Sequence, residues 1–317
     1  MTRLAFRVLP TLAALLTGVL ACAPARSGEE GRLDVVTTTG MITDIVARVG
    51  GERVRVTGLM GPGIDPHLYK ASAGDVRTLS TADLIFYNGL HLEAAMGEVL
   101  GEMDGRVRTQ AVTGGIPSGR LLSPPGFSGQ FDPHVWFDVS LWIHAVDTVA
   151  RTLEEVDPAG ALGYRANADV LIRELEDLDS WIRERVAEVP EERRLLVTAH
   201  DAFNYFGKAY GFRVEGLLGL STAAEAGTGD VGRLVSLILD TGVPAIFVES
   251  SIPVRTIEAV QAAVHARGKH VEIGGTLFSD AMGDPGTGEG TYRGMVRHNV
   301  DTIVGALLRP GGLAEDG

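Results

Sequence analysis

Short apolar segments with strand character alternate with amphipathic helical segments along most of this chain, from residue 33 onward. In the first half the pattern predicts helices at 41–50 and 91–103, between or after strands at 33–39, 53–60 and 82–89. The same alternation returns in the second half of the chain, with strands predicted at 193–200, 212–219, 244–250 and 269–275. Because strand, helix and strand at this spacing form βαβ units, the chain is predicted to be an α/β protein with mostly parallel sheets flanked by helices.

One helical segment separates these two runs and is about twice as long as an ordinary helix. It lies between Pro158 and Pro190, and apolar residues recur along it at helical spacing, namely Leu171, Leu175, Leu178, Ile182 and Val186. Thirty residues at the rise of an α-helix would span roughly 45 Å, enough to connect two lobes. We therefore predict an N-terminal lobe at 33–156, one long rigid helix at 157–189 and a C-terminal lobe at 190–317.

The N-terminus has the layout of a secretory signal. Arg3 and Arg7 precede an uncharged apolar run at 8–21 that is too short for an ordinary membrane-spanning helix. This pattern predicts a signal peptide at 1–22 and a polar tether at 23–32. The protein is therefore expected outside the cytoplasm, on the periplasmic or cell-surface side of the cytoplasmic membrane.

The chain has a single cysteine, Cys22, directly after this apolar run. A lone cysteine cannot form an internal disulfide, and the stretch VLAC that ends at Cys22 resembles a bacterial lipobox. Lipidation of Cys22 would anchor the mature protein to the membrane. Ordinary signal cleavage after APA, residues 23–25, is the alternative, and it would release a protein without a lipid anchor.

The composition is that of a globular protein, with 45% hydrophobic and 22% charged residues in 317. The formal net charge of −13 argues against a nucleic-acid partner, because phosphate binding requires clustered Lys and Arg. An acidic surface would not repel a cation. The charge thus leaves a metal ion among the ligands that this chain could bind.

Two of only eight histidines stand in Asp-Pro-His triplets, which end at His67 and His134. Proline restricts its own backbone and that of the residue before it, so each triplet presents its histidine from a stiff turn. His200 closes a predicted strand, and Asp280 follows another. Because open parallel sheets bind ligands beyond the carboxyl ends of their strands, these four side chains can converge between the lobes.

Three imidazoles and one carboxylate are suitable ligands for a divalent transition metal. Asp65 and Asp132 precede the prolines of the two triplets, and Glu249 ends a predicted strand. We expect Asp65 and Asp132 to accept local hydrogen bonds or to orient the ligands, rather than to bind the ion directly, and Glu249 is a third candidate for orienting a ligand. The remaining histidines are expected to be ordinary surface or core residues, and they are His91, His144, His265, His270 and His298.

Five stretches in order resemble one protein family: GPGIDPHLYKASAGD, DPHVWFDVS, VTAHDAFNYFGKAYGF, PAIFVESS and LFSDAMG with the later GTYRGMVRHNVDTIV. They are similar to the manganese/zinc substrate-binding proteins of bacterial metal-uptake ABC transporters, a group that includes treponemal TroA-like proteins and pneumococcal surface adhesin-like lipoproteins. The resemblance covers nearly the whole mature chain.

The resemblance implies two lobes joined by a rigid helix, with one Mn²⁺ or Zn²⁺ per chain between them. The ligands that it implies are His67, His134, His200 and Asp280. It also implies a monomer that delivers the ion to a membrane permease powered by a cytoplasmic ATPase, with no catalysis. His200 matches the TroA-like and zinc branches, where adhesin-like manganese binders usually have Glu, but residues 110–131 lack the His-rich loop frequent in zinc-uptake proteins.

Two alternative functions use the same residues. An exported metallohydrolase would need an open coordination position and a general base, for which Glu249 is the best candidate. An adhesin stabilised by its metal is the second alternative. The choice between Mn²⁺ and Zn²⁺ stays open, because the Irving–Williams order favours zinc at most sites whichever ion is carried.

Overall fold

A computed structural model describes residues 31–124 and 129–309. The signal peptide predicted at 1–22, Cys22 and most of the predicted tether lie outside these residues. Within them, strands β1 to β8 span Leu33–Thr37, Val54–Gly58, Leu84–Tyr87, Arg108–Ala111, Leu195–His200, Arg213–Leu218, Ala245–Glu249 and Glu272–Leu277. Helices α1 to α9 span Gly40–Gly50, Ala73–Thr81, Gly97–Asp104, Val139–Val156, Ala161–Val186, Asn204–Tyr210, Thr228–Thr241, Arg255–His265 and Tyr292–Leu308.

The strands form parallel sheets, as the sequence predicts. In the N-terminal lobe, four parallel strands are ordered β2-β1-β3-β4. In the C-terminal lobe, β5 pairs with β6 and β7 pairs with β8, both in parallel, and β5 lies beside β7. Both the α/β class and the two-lobe arrangement of mostly parallel sheets flanked by helices are therefore confirmed.

Helix α5 joins the two lobes and packs on both. In the N-terminal lobe, Arg48 of α1 forms an ion pair with Glu174 of α5 at 2.8 Å. Near its other end, Arg185 forms an ion pair with Asp301 of α9 at 2.8 Å. The helix has 26 residues, about 39 Å at the usual rise, and it lies inside the predicted span 157–189. The lobe boundaries at 33–156 and 190–317 stay predictions.

Three details of the chain differ from the pattern-based expectations. Strand β4, Arg108–Ala111, has no apolar alternation and was not predicted. The helix predicted at 91–103 begins only at Gly97, after a short 3₁₀ turn, because Leu90 and His91 adopt positive φ. Strand β8 is displaced from the predicted 269–275 to 272–277.

None of the helices in the part of the chain that the structure describes combines the length and apolarity needed to cross a bilayer. Their buried faces instead pack on the sheets and on each other. Along α5 the buried residues recur every three or four positions, at Tyr164, Ala168, Leu171, Leu175, Leu178, Ile182 and Val186. This apolar stripe connects the cores of the two lobes.

Truncation of one residue in this stripe tests the role of α5 in stability. Leu171 is 2% exposed, so Leu171→Ala should lower the free energy of unfolding by about 2–4 kcal/mol through lost burial and a residual cavity. Chemical denaturation of the metal-free protein measures the loss. Leu162→Ala on the same helix is the matched control, because Leu162 is 89% exposed and its truncation should be nearly neutral. Equal losses in the two variants would contradict the packing described here.

Candidate metal centre

The two Asp-Pro-His triplets form the same local turn. Asp65 accepts a hydrogen bond from the backbone N–H of His67 at 2.8 Å, and Asp132 accepts one from the backbone N–H of His134 at 2.9 Å. Each aspartate thus caps the turn that presents its histidine, in the segment that follows β2 or β4. The proline between them limits the backbone motion of both neighbours.

The imidazole of His134 is oriented by a carboxylate. Its Nδ1 lies 2.7 Å from Asp132 Oδ1, and both side chains are fully buried. In the neutral ring the proton resides on Nδ1, because a carboxylate accepts a hydrogen bond there, so Nε2 carries the free lone pair. The ring of Trp136 meets that of His134 edge-on, with centroids 5.3 Å apart, and closes one side of the site.

His200 is held in the same way from the C-terminal lobe. It is the last residue of β5, and Glu249 is the last residue of β7. Glu249 accepts from the backbone N–H of His200 at 2.9 Å through Oε1, while Oε2 lies 2.6 Å from His200 Nδ1. Both oxygens of Glu249 are therefore engaged by one residue, and the Nε2 atom of His200 faces the centre of the site.

Asp280 lies three residues after β8 and completes the cluster. Its Oδ1 is 3.4 Å from His134 Nε2, and its Oδ2 is 3.2 Å from His200 Nε2 and 3.7 Å from His67 Nε2. The Nε2 atoms of His67 and His134 are 3.3 Å apart. One ligand atom from each of the four residues lies within 4.8 Å of every other, and all four residues are buried.

These separations suit a common metal ion. Four donor atoms about 2.1 Å from one ion lie roughly 3.4 Å apart when they occupy the corners of a tetrahedron. Among the described residues, His200 Nε2 and both oxygens of Asp280 are buried without a hydrogen-bond partner. Buried polar atoms are normally paired, so such atoms directed at one point indicate a site for a ligand that is itself charged.

The charges of the cluster act on one another. Burial lowers the pKa of His67 to about 3, with the neighbouring imidazoles adding to the effect and Asp280 opposing it. Burial also opposes the protonated form of His200, but the carboxylates of Glu249 and Asp280 outweigh it and raise the pKa of His200 well above its usual range. Burial likewise disfavours the charged carboxylate of Asp280, yet the three histidines hold its pKa well below the usual value. The site thus favours an anionic Asp280 beside positive charge.

All four residues that the sequence marks as candidate ligands are thus brought together. Asp132 and Glu249 contact the imidazoles, whereas the carboxylate of Asp65 accepts hydrogen bonds, among the described residues, from the backbone N–H of its histidine and from the hydroxyl of Thr222, the latter at 2.5 Å. The other histidines are exposed or half-buried and lie outside the cluster, namely His91, His144, His265, His270 and His298.

Several residues that support the site were not predicted. Trp136 Nε1 donates to the carbonyl of Ser279, the residue before Asp280, at 3.1 Å. Asn204 Nδ2 donates to Asp132 Oδ2 at 3.1 Å, and Tyr205 donates its hydroxyl proton to the carbonyl of Asp132 at 3.0 Å. The sequence signal that could have identified them is their closeness to candidate ligands. Trp136 stands two residues after His134, and Asn204 and Tyr205 follow shortly after His200.

The chain is similar to known metal-binding proteins along most of its length. The family profile described as zinc-uptake complex component A periplasmic (ZnuA) matches residues 35–306. The zinc-binding protein TroA of Treponema pallidum is 52% identical over 280 residues, which are 88% of this chain and 90% of TroA. The manganese-binding lipoprotein MntA of Bacillus subtilis is 47% identical over 92% of this chain and 95% of MntA.

The solved structure of the periplasmic zinc-binding protein TroA from Treponema pallidum superposes with a TM-score of 0.86. The alignment covers 88% of this chain and 100% of the TroA chain at 52% identity. A profile match across most of the residues, two relatives above 45% identity and the shared fold lead to one conclusion. The chain belongs to the ZnuA family of metal-binding substrate-binding proteins of ABC transporters.

Proposed function

We propose that this protein captures one Mn²⁺ or Zn²⁺ ion between its two lobes and delivers it to an ABC permease for import. The ligands are the Nε2 atoms of His67, His134 and His200 and the carboxylate of Asp280. The observation that carries the proposal is the convergence of these buried donor atoms, three of which have no hydrogen-bond partner among the described residues. Relatives named as zinc-binding and as manganese-binding proteins support the same cargo.

Capture and release, rather than catalysis, fit the donor set. Four protein ligands can complete a tetrahedral site, whereas a catalytic zinc keeps a position open for water. Glu249, the best candidate for the general base of a metallohydrolase, has both oxygens engaged by His200. The adhesin alternative is not favoured, because the relatives are named for metal binding.

The identity of the carried ion depends on more than the donor atoms. Imidazole nitrogen suits zinc and the other late transition metals, and carboxylate oxygen also suits manganese. The cluster offers three imidazole nitrogens and one carboxylate. Because zinc usually binds more tightly than manganese at such a site, affinity alone does not identify the ion that a cell imports.

The cellular setting follows from the N-terminal signal and from the family. We propose that the mature chain is a monomer tethered outside the cytoplasmic membrane through lipidated Cys22. One relative, MntA, is itself named a lipoprotein. The partner is a membrane permease with its cytoplasmic ATPase. Mass spectrometry of the membrane-extracted protein tests the anchor, because lipidation adds acyl mass at Cys22 and ordinary cleavage after residue 25 removes that cysteine.

Titration calorimetry of the chelator-stripped mature protein with Zn²⁺ and with Mn²⁺ tests the site. The wild-type protein should bind one ion per chain, and His200→Ala should weaken binding at least about 100-fold, because one of four ligands is lost. His270→Ala is the matched control, since His270 is exposed and lies outside the cluster. A wild-type protein that binds neither ion, or a His200→Ala variant with full affinity, would contradict the proposal.

The carboxylate behind His200 provides a second test. Glu249→Gln keeps the size of the side chain but replaces one of the two oxygens that face His200 with an amide. Metal affinity should fall about 10- to 100-fold, as it does when such outer carboxylates are changed at other metal sites. Competition with a chromophoric chelator measures it. If affinity stays at the wild-type value, Glu249 does not set the orientation or basicity of His200.

Acidification should weaken metal binding, because a protonated imidazole cannot bind the ion. The raised pKa of His200 means that the metal-free protein holds a proton there near neutral pH, which the ion must displace. His67, whose pKa is lowered to about 3, is already neutral above pH 5. Calorimetry at pH 7 in buffers of different ionisation enthalpy should show release of roughly one proton per ion, and affinity should fall about tenfold per pH unit below that. No proton release would contradict this charge state.

A further inference from the structure

The two histidines from the N-terminal lobe are held to the C-terminal lobe very differently. The segment that carries His134, residues 131–138, is almost entirely buried. It exchanges hydrogen bonds with four residues of the other lobe, which are Asn204, Tyr205, Ser279 and Tyr292. The last of these donates its hydroxyl proton to the carbonyl of Trp136 at 2.7 Å. This segment is therefore clamped from several sides.

The segment that carries His67, residues 61–70, has much less support. Pro66 and His67 are buried, but Ile64 is 38% and Leu68 is 50% exposed. Outside the metal site itself, and among the residues that the structure describes, Thr222 is the one hydrogen-bond partner that this segment has in the C-terminal lobe. Thr222 donates its hydroxyl proton to Asp65 Oδ2 at 2.5 Å, while Asp65 Oδ1 accepts from the backbone N–H of His67.

Asp65 thus connects Thr222 to the backbone of a candidate ligand. A hydrogen bond from a hydroxyl group to a carboxylate is stronger than one between two neutral groups. Beside this contact lies a groove of about 570 Å³, lined by Asp65, Leu68 and Thr222 together with Leu217, Ile252 and Pro253. The groove leaves the segment unpacked on that side, so the segment has room to move once the hydrogen bond is broken.

An ion bound by four buried side chains cannot leave unless at least one of their segments moves. The segment with the fewest cross-lobe bonds opens at the lowest free energy. From this asymmetry we infer that the ion enters and leaves by displacement of residues 61–70, and that Thr222 is a positioning residue that latches this segment through Asp65. The inference rests on the proposed metal-carrier function and names the part of the site that opens for transfer.

The experiment compares metal dissociation rates of the mature protein, followed by stopped-flow mixing of the Zn²⁺- or Mn²⁺-loaded form with excess chromophoric chelator. Thr222→Val keeps the shape of the side chain and removes the donor, so dissociation should be roughly three- to tenfold faster. Thr222→Ser retains the hydroxyl and should restore the wild-type rate. Because Thr222 is half-buried on a loop, the thermal midpoint of the metal-free protein should fall by no more than about 2–4 °C in Thr222→Val and stay unchanged in Thr222→Ser.

Ser221→Ala is the matched control, since it removes the neighbouring hydroxyl, which accepts a hydrogen bond from the backbone N–H of Ala223 within its own loop. It should release the ion at the wild-type rate. In an Asp65→Ala background, Thr222→Val should add no further acceleration, because the partner of the latch is already gone. A merely structural role for Thr222 would give additive effects in this pair.

The possible failures can be told apart. If the wild-type protein binds neither Zn²⁺ nor Mn²⁺, the metal-carrier function is wrong. If it binds one ion but Thr222→Val releases that ion at the wild-type rate, only the latch is wrong. Equal acceleration by Ser221→Ala and Thr222→Val would also overturn the latch, because loss of any hydroxyl in that loop would then suffice.

Discussion

Burying a charged carboxylate without a hydrogen-bond donor costs free energy, and the groups around Asp280 are arranged so that this cost is offset. The aspartate faces three imidazoles, and among the described residues neither of its oxygens has a hydrogen-bond partner. Two of these imidazoles, those of His134 and His200, are held by Asp132 and Glu249 on the sides away from the centre. Positive charge at the centre, from a proton or a metal ion, is what makes this arrangement stable. The four candidate ligands around that point are buried where the two lobes meet.

Much of the site could be predicted from the sequence because its parts are local. Proline beside aspartate and histidine defines a turn whatever the remainder of the chain does, and in both triplets the backbone N–H of the histidine donates a hydrogen bond to the carboxylate of the aspartate. His200 and Glu249 are the last residues of β5 and β7, which lie side by side, so the two side chains meet where these strands end. The alternation of strands and helices likewise determines the fold class without any long-range information.

The features that escaped prediction depend on distant contacts. Trp136, Tyr205 and Thr222 gain their roles only when the lobes meet, and no local pattern identifies a threonine as the partner of an aspartate 157 residues away. Strand β4 lies at the edge of its sheet, where one side lacks a neighbour, so its sequence is free of the apolar alternation. The late start of α3 has a local cause instead, because the buried carboxylate of Glu93 accepts hydrogen bonds from the backbone N–H groups of Asn88 and Gly89 and stabilises a turn there.

The four candidate ligands come from positions far apart in the chain, at 67, 134, 200 and 280. A bound ion would therefore act as a removable cross-link that closes three large loops of the polypeptide at once. Because the ion binds the folded state and is released when the chain unfolds, it adds its binding free energy to the folded state by mass action. The loaded carrier would unfold less often than the empty one. Because proteases attack transiently unfolded chains, the supply of metal would then influence how long each copy of the protein survives.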